Sequence, residues 1–150
     1  MISYSYMKIT SSAFQNNAQI PSVYTGDGKN ISPPLEFVDV TNSAKSLALI
    51  VDDPDATSKV WVHWVVYNIN PKTTKVNENS VPQNGIEAMT DFGKPGYGGP
   101  CPSSGNHRYF FKLYALDTIL DLQNADKKLL EEKSQGHIID KTQLIGLYSH

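Results

Sequence analysis

Three stretches of the chain carry hydrophobic residues in the pattern of β-strands. Residues 46–51 (SLALIV) form a short continuous apolar run, residues 60–69 (VWVHWVVYNI) are rich in β-branched and aromatic side chains, and residues 107–116 (HRYFFKLYAL) are rich in aromatic ones. Such runs are typical of strands with at least one buried face. Residues 52–59 separate the first two runs, and their proline and aspartates favour a turn. We therefore predict three strands, with a turn between the first two.

Only one stretch has helical character. The pattern predicts a helix over residues 124–135, with Asn124 as its N-cap and Gly136 as its C-cap. The two segments that follow, 137–140 and 143–148, are too short to assign from their pattern alone. The prediction for this end of the chain is one short helix followed by unassigned segments.

The long connection between the second and third predicted strands is dense in glycine, proline and asparagine. Residues 71–106 show no hydrophobic period, and loops of this length inside a compact domain are uncommon unless they build a site. Several strands, one helix and long turn-rich connections predict a mostly β protein, a sandwich with one or two peripheral short helices.

Length and composition favour one globular domain. The chain has 150 residues, 39% hydrophobic and 19% charged, and no apolar run approaches the roughly 20 residues of a membrane-spanning helix. Residues 1–6 lack the basic start and apolar segment of a secretory signal, so we expect a flexible extension over 1–6, a single domain over 7–150, a cytoplasmic location and no integral membrane contact. The single cysteine, Cys101, cannot form an internal disulfide.

Charge argues against nucleic acid as a partner. The formal net charge is −2, and the thirteen basic residues are scattered along the chain, with one arginine, Arg108, among them. There is also no basic amphipathic helix of the kind that holds a protein on an anionic membrane surface. Any lipid contact would therefore be made through a head group in a pocket.

Two clusters of residues carry the candidate chemistry. The first is the turn 53–56 (DPDA), followed by 61–64 (WVHW), and the second is 96–100 (GYGGP), followed by 105–109 (GNHRY). Side chains alternate between the two faces of a strand. This alternation predicts that Trp61 and His63 share one face while Val62 and Trp64 share the other. It also predicts that His107 and Tyr109 lie on the same face and that Arg108 lies on the opposite face, where we expect it to form a structural ion pair.

If the strands lie side by side, His63 and His107 meet the DPDA turn around one small volume. Gly98 and Gly99 can offer backbone N–H groups to an anion, and Trp61 and Pro100 would form apolar walls. A carboxylate neighbour favours the charged form of histidine, so anion binding is expected to weaken as the pH rises above the pKa values of the histidines. Phosphate linked to an amine, as in phosphoethanolamine, matches this mixed polarity.

In order and spacing, the two clusters resemble the signature segments of the phosphatidylethanolamine-binding protein family, also called the Raf-kinase-inhibitor-like family. Shorter segments resemble its compact bacterial and archaeal branch: 24–28 (YTGDG), 32–35 (SPPL), 90–93 (TDFG), 114–117 (YALD) and 136–139 (GHII). The resemblance covers the chain from Met7 onward. It implies a Greek-key β-sandwich, a pocket for phosphate-like anions, among them phospholipid head groups and phosphorylated side chains, no catalytic activity and no cofactor.

Carried over by position, the resemblance and the glycine argument together give one set of candidate ligand-binding residues: Asp53, Asp55, Ala56, Trp61, His63, Gly98, Gly99, Pro100, His107 and Tyr109. The sequence departs from the family pattern at some positions. Thr57 stands where a proline is common, and Gly26 stands where a cysteine is frequent. Cys101 interrupts a proline-rich rim, so the size of the ligand does not carry over.

Alternatives remain open at this level. Asp53, Asp55, His63 and His107 are acceptable metal ligands, although their spacing is not typical of zinc sites. A histidine and aspartate pair could act as the general base of a hydrolase or transferase, but no nucleophile or cofactor motif accompanies it. By resemblance we expect a homodimer, and a phosphorylated protein or a kinase-pathway partner is a further candidate, without carrying over the kinase inhibition of animal relatives.

Overall fold

The computed structural model describes residues 6–102 and 104–149. Nine strands, one α-helix and a 3₁₀ turn (Ser22–Tyr24) follow one another along the chain: β1 (Lys8–Thr10), β2 (Ala18–Gln19), β3 (Leu35–Val38), β4 (Ser46–Asp53), β5 (Trp61–Ile69), β6 (Lys75–Val76), β7 (Ile86–Glu87), β8 (Asn106–Leu116), α1 (Lys127–Ser134) and β9 (Ile138–Ser149). The predicted mostly β architecture with a peripheral helix is confirmed.

The strands form two sheets. A three-stranded sheet has the order β1-β3-β6, and a six-stranded sheet has the order β2-β9-β8-β4-β5-β7. Strand β4 lies at the centre of the larger sheet, antiparallel to β5 on one side and to β8 on the other. The amino-terminal parts of β5 and β8 therefore both lie beside the carboxyl-terminal end of β4, which is where the candidate site is built.

Two hydrophobic clusters lie on opposite faces of the larger sheet. The larger cluster fills the space between the two sheets and includes Phe37, Val51, Trp64 and Phe111. The smaller cluster lies under helix α1, where Leu130 packs against residues of β4 and β5. Burial of both faces explains why 46–51 is a continuous apolar run rather than an alternating one.

The helix is shorter than the sequence predicts. It begins after Asp126, whose side chain accepts a hydrogen bond from the Leu129 N–H at 2.9 Å. Asn124, the predicted N-cap, instead has a positive φ of 52° in the preceding turn. Gly136 follows the C-cap residue Gln135 and has a φ of 80°, the left-handed conformation that favours glycine after a helix.

The carboxyl-terminal segment is a long strand that the sequence pattern does not assign. Strand β9 pairs antiparallel with β8, from Asn106 opposite Ser149 to Leu116 opposite Ile138. Along β9, buried, half-buried and exposed residues alternate without a clear apolar face, so pairing with β8 rather than local pattern decides its structure. The expected flexible extension falls largely on residues 1–5, outside the described part of the chain; Tyr6 is 70% exposed.

Candidate functional site

A cavity of about 250 Å³ opens at the carboxyl-terminal end of β4. It is lined by residues from β4, the turn after it, β5, β8 and the long connection between β7 and β8: Asp53, Ala56, Thr57, Trp61, His63, Phe92, Cys101, Pro102, His107 and Tyr109. Six of the ten predicted ligand-binding residues are therefore brought together: Asp53, Ala56, Trp61, His63, His107 and Tyr109.

The sheet register explains this convergence. Asp53 lies opposite Trp61 in the pairing of β4 with β5. On the other side of β4, Asp52 lies opposite Phe110, which places His107 and Tyr109 just beyond the end of that pairing. Residues distant in sequence therefore meet at one end of the sheet.

A β-bulge in β5 corrects one prediction about side-chain orientation. Val51 lies opposite Trp64, but Asp52 lies opposite Val62, so His63 is the extra residue on the β5 side. Trp64 consequently packs in the cluster between the sheets, whereas Val62 packs in the cluster under the helix. The prediction that Val62 and Trp64 share a face is wrong because strict alternation fails at a bulge.

Asp53 and His107 form an ion pair on one side of the cavity. His107 Nδ1 lies 2.6 Å from Asp53 Oδ2, and Asp53 is 3% exposed. The second carboxylate oxygen, Oδ1, accepts a hydrogen bond from the Asp55 N–H at 2.8 Å, which fixes the turn 53–56. His107 Nε2 lies 3.1 Å from the Ser104 carbonyl oxygen. Both ring nitrogens can donate to these oxygens only in the imidazolium form, so the geometry suits a cation at His107 beside the carboxylate.

His63 is held in a different way. Its Nδ1 lies 2.7 Å from the Gly98 carbonyl oxygen, so Nδ1 carries a hydrogen and donates it. His63 is 4% exposed, and burial lowers its pKa, an effect that the Gly98 hydrogen bond and the negative charge of Asp53 only partly oppose. His63 is therefore the neutral imidazole of the site.

Aromatic rings surround His63. The Tyr109 ring lies edge-on to it with centroids 5.2 Å apart, and the Phe92 ring lies edge-on at 5.5 Å. Phe92 also contacts Trp61 at 5.6 Å. Tyr109 is buried, and burial raises the pKa of its hydroxyl well above its usual range, so it stays protonated. The cavity thus combines apolar walls with a small number of fixed polar groups.

Asp55 does not face the cavity. Its carboxylate binds Arg108 through two parallel hydrogen bonds, Nε to Oδ2 and Nη2 to Oδ1, each 2.9 Å long, and also accepts one from the Arg108 backbone N–H. The Arg108 guanidinium holds the pKa of Asp55 below its usual value. The prediction of a structural ion pair for Arg108 is confirmed, and Asp55 belongs to that pair rather than to the cavity wall.

Gly98, Gly99 and Pro100 lie behind the cavity lining. The Gly98 N–H donates to the His63 carbonyl oxygen at 3.1 Å, and the Gly99 N–H donates to Asn30 Oδ1 at 2.7 Å. These N–H groups are already bonded within the protein, which differs from the prediction that they are offered to an anion. The glycines are needed for space instead: a side chain on Gly98 would overlap the Phe92 ring, and one on Gly99 would overlap the backbone at Tyr24.

Four cavity residues are missing from the predicted set of ligand-binding residues: Thr57, Phe92, Cys101 and Pro102. Thr57 directly follows the predicted turn, and Cys101 and Pro102 directly follow Pro100, so the prediction had the right segments but stopped short by one or two residues. Phe92 comes from the segment 90–93 that supported the family resemblance. The close contact between the Phe92 ring and Gly98 identifies Phe92 as part of the site, but this contact is visible only in the structure.

Cys101 lies beside Gly26, the position where the family pattern often has a cysteine. A Cβ atom on Gly26 would lie 3.1 Å from both Cβ and Sγ of Cys101. The Gly26 N–H donates to the Pro100 carbonyl oxygen at 2.9 Å, which holds the two segments together. The side chain of Cys101 and a side chain at position 26 therefore compete for one space, and this chain fills it from position 101.

Within residues 6–102 and 104–149, no group of three or more His, Cys, Asp or Glu side chains is placed to hold a metal ion. In the same residues, no helix is both long and apolar enough to cross a membrane.

Comparison with known proteins places these observations in a family. The family model for phosphatidylethanolamine-binding protein matches residues 10–149. A UPF0098 protein of Methanothermobacter thermautotrophicus is 52% identical over 148 residues, which cover 95% of this chain and 98% of the relative.

Solved structures agree with the sequence comparison. The crystal structure of a phosphatidylethanolamine-binding protein homologue from Chlamydia trachomatis superposes with a TM-score of 0.91 at 40% identity, covering 96% of this chain and 97% of the other. YbcL of Escherichia coli, described as a member of the mammalian family, superposes with a TM-score of 0.88 at 29% identity, covering 97% and 99%. The chain belongs to the phosphatidylethanolamine-binding protein family.

Proposed function

We propose that the cavity binds a small phosphate-bearing ligand, such as inorganic phosphate, a phosphate monoester or a phospholipid head group, and that the protein acts by binding rather than by catalysis. The observation that carries this proposal is the Asp53–His107 ion pair. Among the described residues that line the cavity, Asp53 is the one carboxylate, and His107 lies 2.6 Å from it. A charged His107 offsets the negative charge that would otherwise repel an anion.

Size and lining support the same proposal. A cavity of about 250 Å³ suits a small head group rather than a whole lipid. Its buried polar groups, His63 and Tyr109, lie among the aromatic walls formed by Trp61 and Phe92. A ligand with a compact polar head next to a short organic group fits such a lining. A phosphorylated side chain has this composition too, which makes a phosphorylated protein a candidate partner.

The alternative of a hydrolase or transferase has less support. It requires the histidine of a His/Asp pair to present its second nitrogen to a substrate. That pair forms between Asp53 and His107, but His107 Nε2 lies 3.1 Å from the Ser104 carbonyl oxygen. Both ring nitrogens of His107 are therefore already engaged by oxygens of the protein.

Titration by NMR tests the proposal. Inorganic phosphate and phosphoethanolamine at millimolar concentration are expected to move the ring signals of His63 and His107. His137 is a control in the same spectra, because it pairs with Asp117 at the surface, where both side chains are 46% exposed. If the His63 and His107 signals stay in place, or if His137 moves as much as they do, the proposal is wrong.

A homodimer is the expected assembly by resemblance, and it stays a prediction. Light scattering coupled to size-exclusion chromatography measures the mass directly, against 16.6 kDa for one chain. A mass of one chain at micromolar concentration would contradict it.

A further inference from the structure

The orientation of His63 limits which ligands the cavity can accept. Its Nδ1 is bound to the Gly98 carbonyl oxygen at 2.7 Å, and its ring is held between Tyr109 and Phe92. Nδ1 therefore donates to Gly98, and Nε2, on the other side of the ring, is directed away from that carbonyl.

Within residues 6–102 and 104–149, the hydrogen bond of the His63 ring is the one from Nδ1 to Gly98, so the second nitrogen, Nε2, has no partner, and His63 lines the cavity. In a neutral imidazole with a hydrogen on Nδ1, Nε2 is an acceptor with a lone pair. An anion without a proton presents lone pairs as well, and two acceptors in contact repel.

Other groups around His63 act on its charge. The titratable groups that face it or influence it are Asp52, Asp53, Asp91, Cys101, His107 and Tyr109. The three aspartates favour a charged His63, but each has a cation or donor of its own: Asp52 binds Lys112, Asp53 binds His107, and Asp91 binds Lys59. Burial is the largest influence on the pKa of His63, and it acts in the opposite direction.

Resting on the proposed function, we infer that the cavity selects anions that carry a proton, so that a hydrogen phosphate group donates its O–H to His63 Nε2. A phosphate monoester at mildly acidic pH has such a proton, because its second pKa is about 6. A sulfate monoester has the same shape and the same single charge but no proton to donate. His63 would therefore be the residue that separates phosphate from sulfate.

Methyl phosphate and methyl sulfate form a matched pair of probes for calorimetry at pH 5.5. Methyl phosphate is expected to bind at least about tenfold more tightly, since a site built around an acceptor rejects the analogue that lacks the donor. Equal affinities would overturn this inference and leave the proposed function in place. If methyl phosphate does not bind, both are overturned.

The pH dependence of binding gives a second readout. Above pH 6 the affinity for methyl phosphate is expected to fall about tenfold per pH unit, because the complex holds one proton that the free components have lost. Methylphosphonate loses its second proton at higher pH, so its affinity is expected to begin falling at higher pH. If both ligands lose affinity at the same pH, the proton belongs to the protein alone and the inference is wrong.

Nitrogen NMR and one variant complete the test. In the free protein at pH 7, His63 is expected to show the neutral form with the hydrogen on Nδ1, and a charged ring would overturn the inference. His63→Leu is expected to abolish the preference for methyl phosphate over methyl sulfate, whereas the control His137→Leu keeps it. Retained preference in a folded His63→Leu protein would also overturn it. The NMR measurement decides the question if that variant does not fold.

Discussion

Asp52 and Asp53 are neighbours at the end of β4, equally buried at 0% and 3% exposure, yet they serve opposite faces of the sheet. Asp53 faces the cavity, where it binds His107 and fixes the turn 53–56. Asp52 faces helix α1, where Lys112 and Lys127 lie 3.0 and 3.1 Å from its Oδ2 atom. A buried carboxylate is therefore no evidence of a ligand site by itself. What distinguishes Asp53 is a histidine partner and an open cavity beside it.

The largest effect is expected from Asp52→Asn, as a loss of stability. Removing the negative charge leaves Lys112 and Lys127 without their partner, which costs about 3 kcal/mol, the lower end for buried ion pairs because the lysines are 28% and 20% exposed. Urea unfolding at pH 7 measures this loss. Phosphate affinity is expected to stay unchanged, because Asp52 faces the helix side.

Asp117→Asn is the matched control for that experiment. Asp117 is also paired, with His137, but its side chain is 46% exposed, and surface pairs contribute little. If Asp52→Asn costs no more stability than Asp117→Asn, the buried ion pair of Asp52 does not anchor the helix. The structural role that distinguishes Asp52 from Asp53 is then contradicted.

The second effect is expected from Asp53→Ala, as a loss of binding. This change removes the partner of His107 and the acceptor for the Asp55 N–H. We expect about 1–2 kcal/mol of lost stability, and about a tenfold weaker affinity for phosphate, which corresponds to about 1.4 kcal/mol. Calorimetry on the folded variant measures the affinity. An unchanged affinity would mean that the ion pair has no part in the site.

The third effect concerns the acid side of the stability curve. Burial lowers the pKa of His63 in the folded protein, while the unfolded chain keeps the ordinary value of about 6.5. Below about pH 6.5 the unfolded state therefore binds this proton first, and stability falls by up to about 1.4 kcal/mol per pH unit until the folded state is protonated too.

Urea unfolding between pH 7.5 and 5 is expected to show this slope in the wild type, and His63→Leu is expected to reduce it. The variant His137→Leu is the control, since His137 is half exposed at the surface. Equal slopes for wild type and His63→Leu would contradict a neutral, buried His63, and with it the inference about protonated ligands.

The sequence anticipates the cavity better than it anticipates the bonds inside it. Composition and strand pattern were enough to predict the mostly β fold. The alternation of side chains along β8 also correctly placed His107 and Tyr109 on one face of the strand and Arg108 on the other. The same alternation gave a wrong prediction around His63, because the β-bulge there depends on the register of β5 with β4, and a local sequence pattern does not contain that register. The N–H groups of Gly98 and Gly99 were misjudged for a similar reason, since their acceptors lie in distant segments.

The smallest effect is expected from Asp55→Asn, which tests whether the turn 53–56 contributes one aspartate or two to ligand binding. Asp55 pairs with Arg108 outside the cavity, and Arg108 lowers its pKa, so its stabilising effect is present above the unfolded value of about 3.9 and is lost as the pH falls below it. The free energy of unfolding should fall less than in Asp52→Asn or Asp53→Ala. Its difference from the wild type should shrink at pH 3 and in high salt. Phosphate affinity should not change. A clear loss of affinity would place Asp55 among the ligand-binding residues after all.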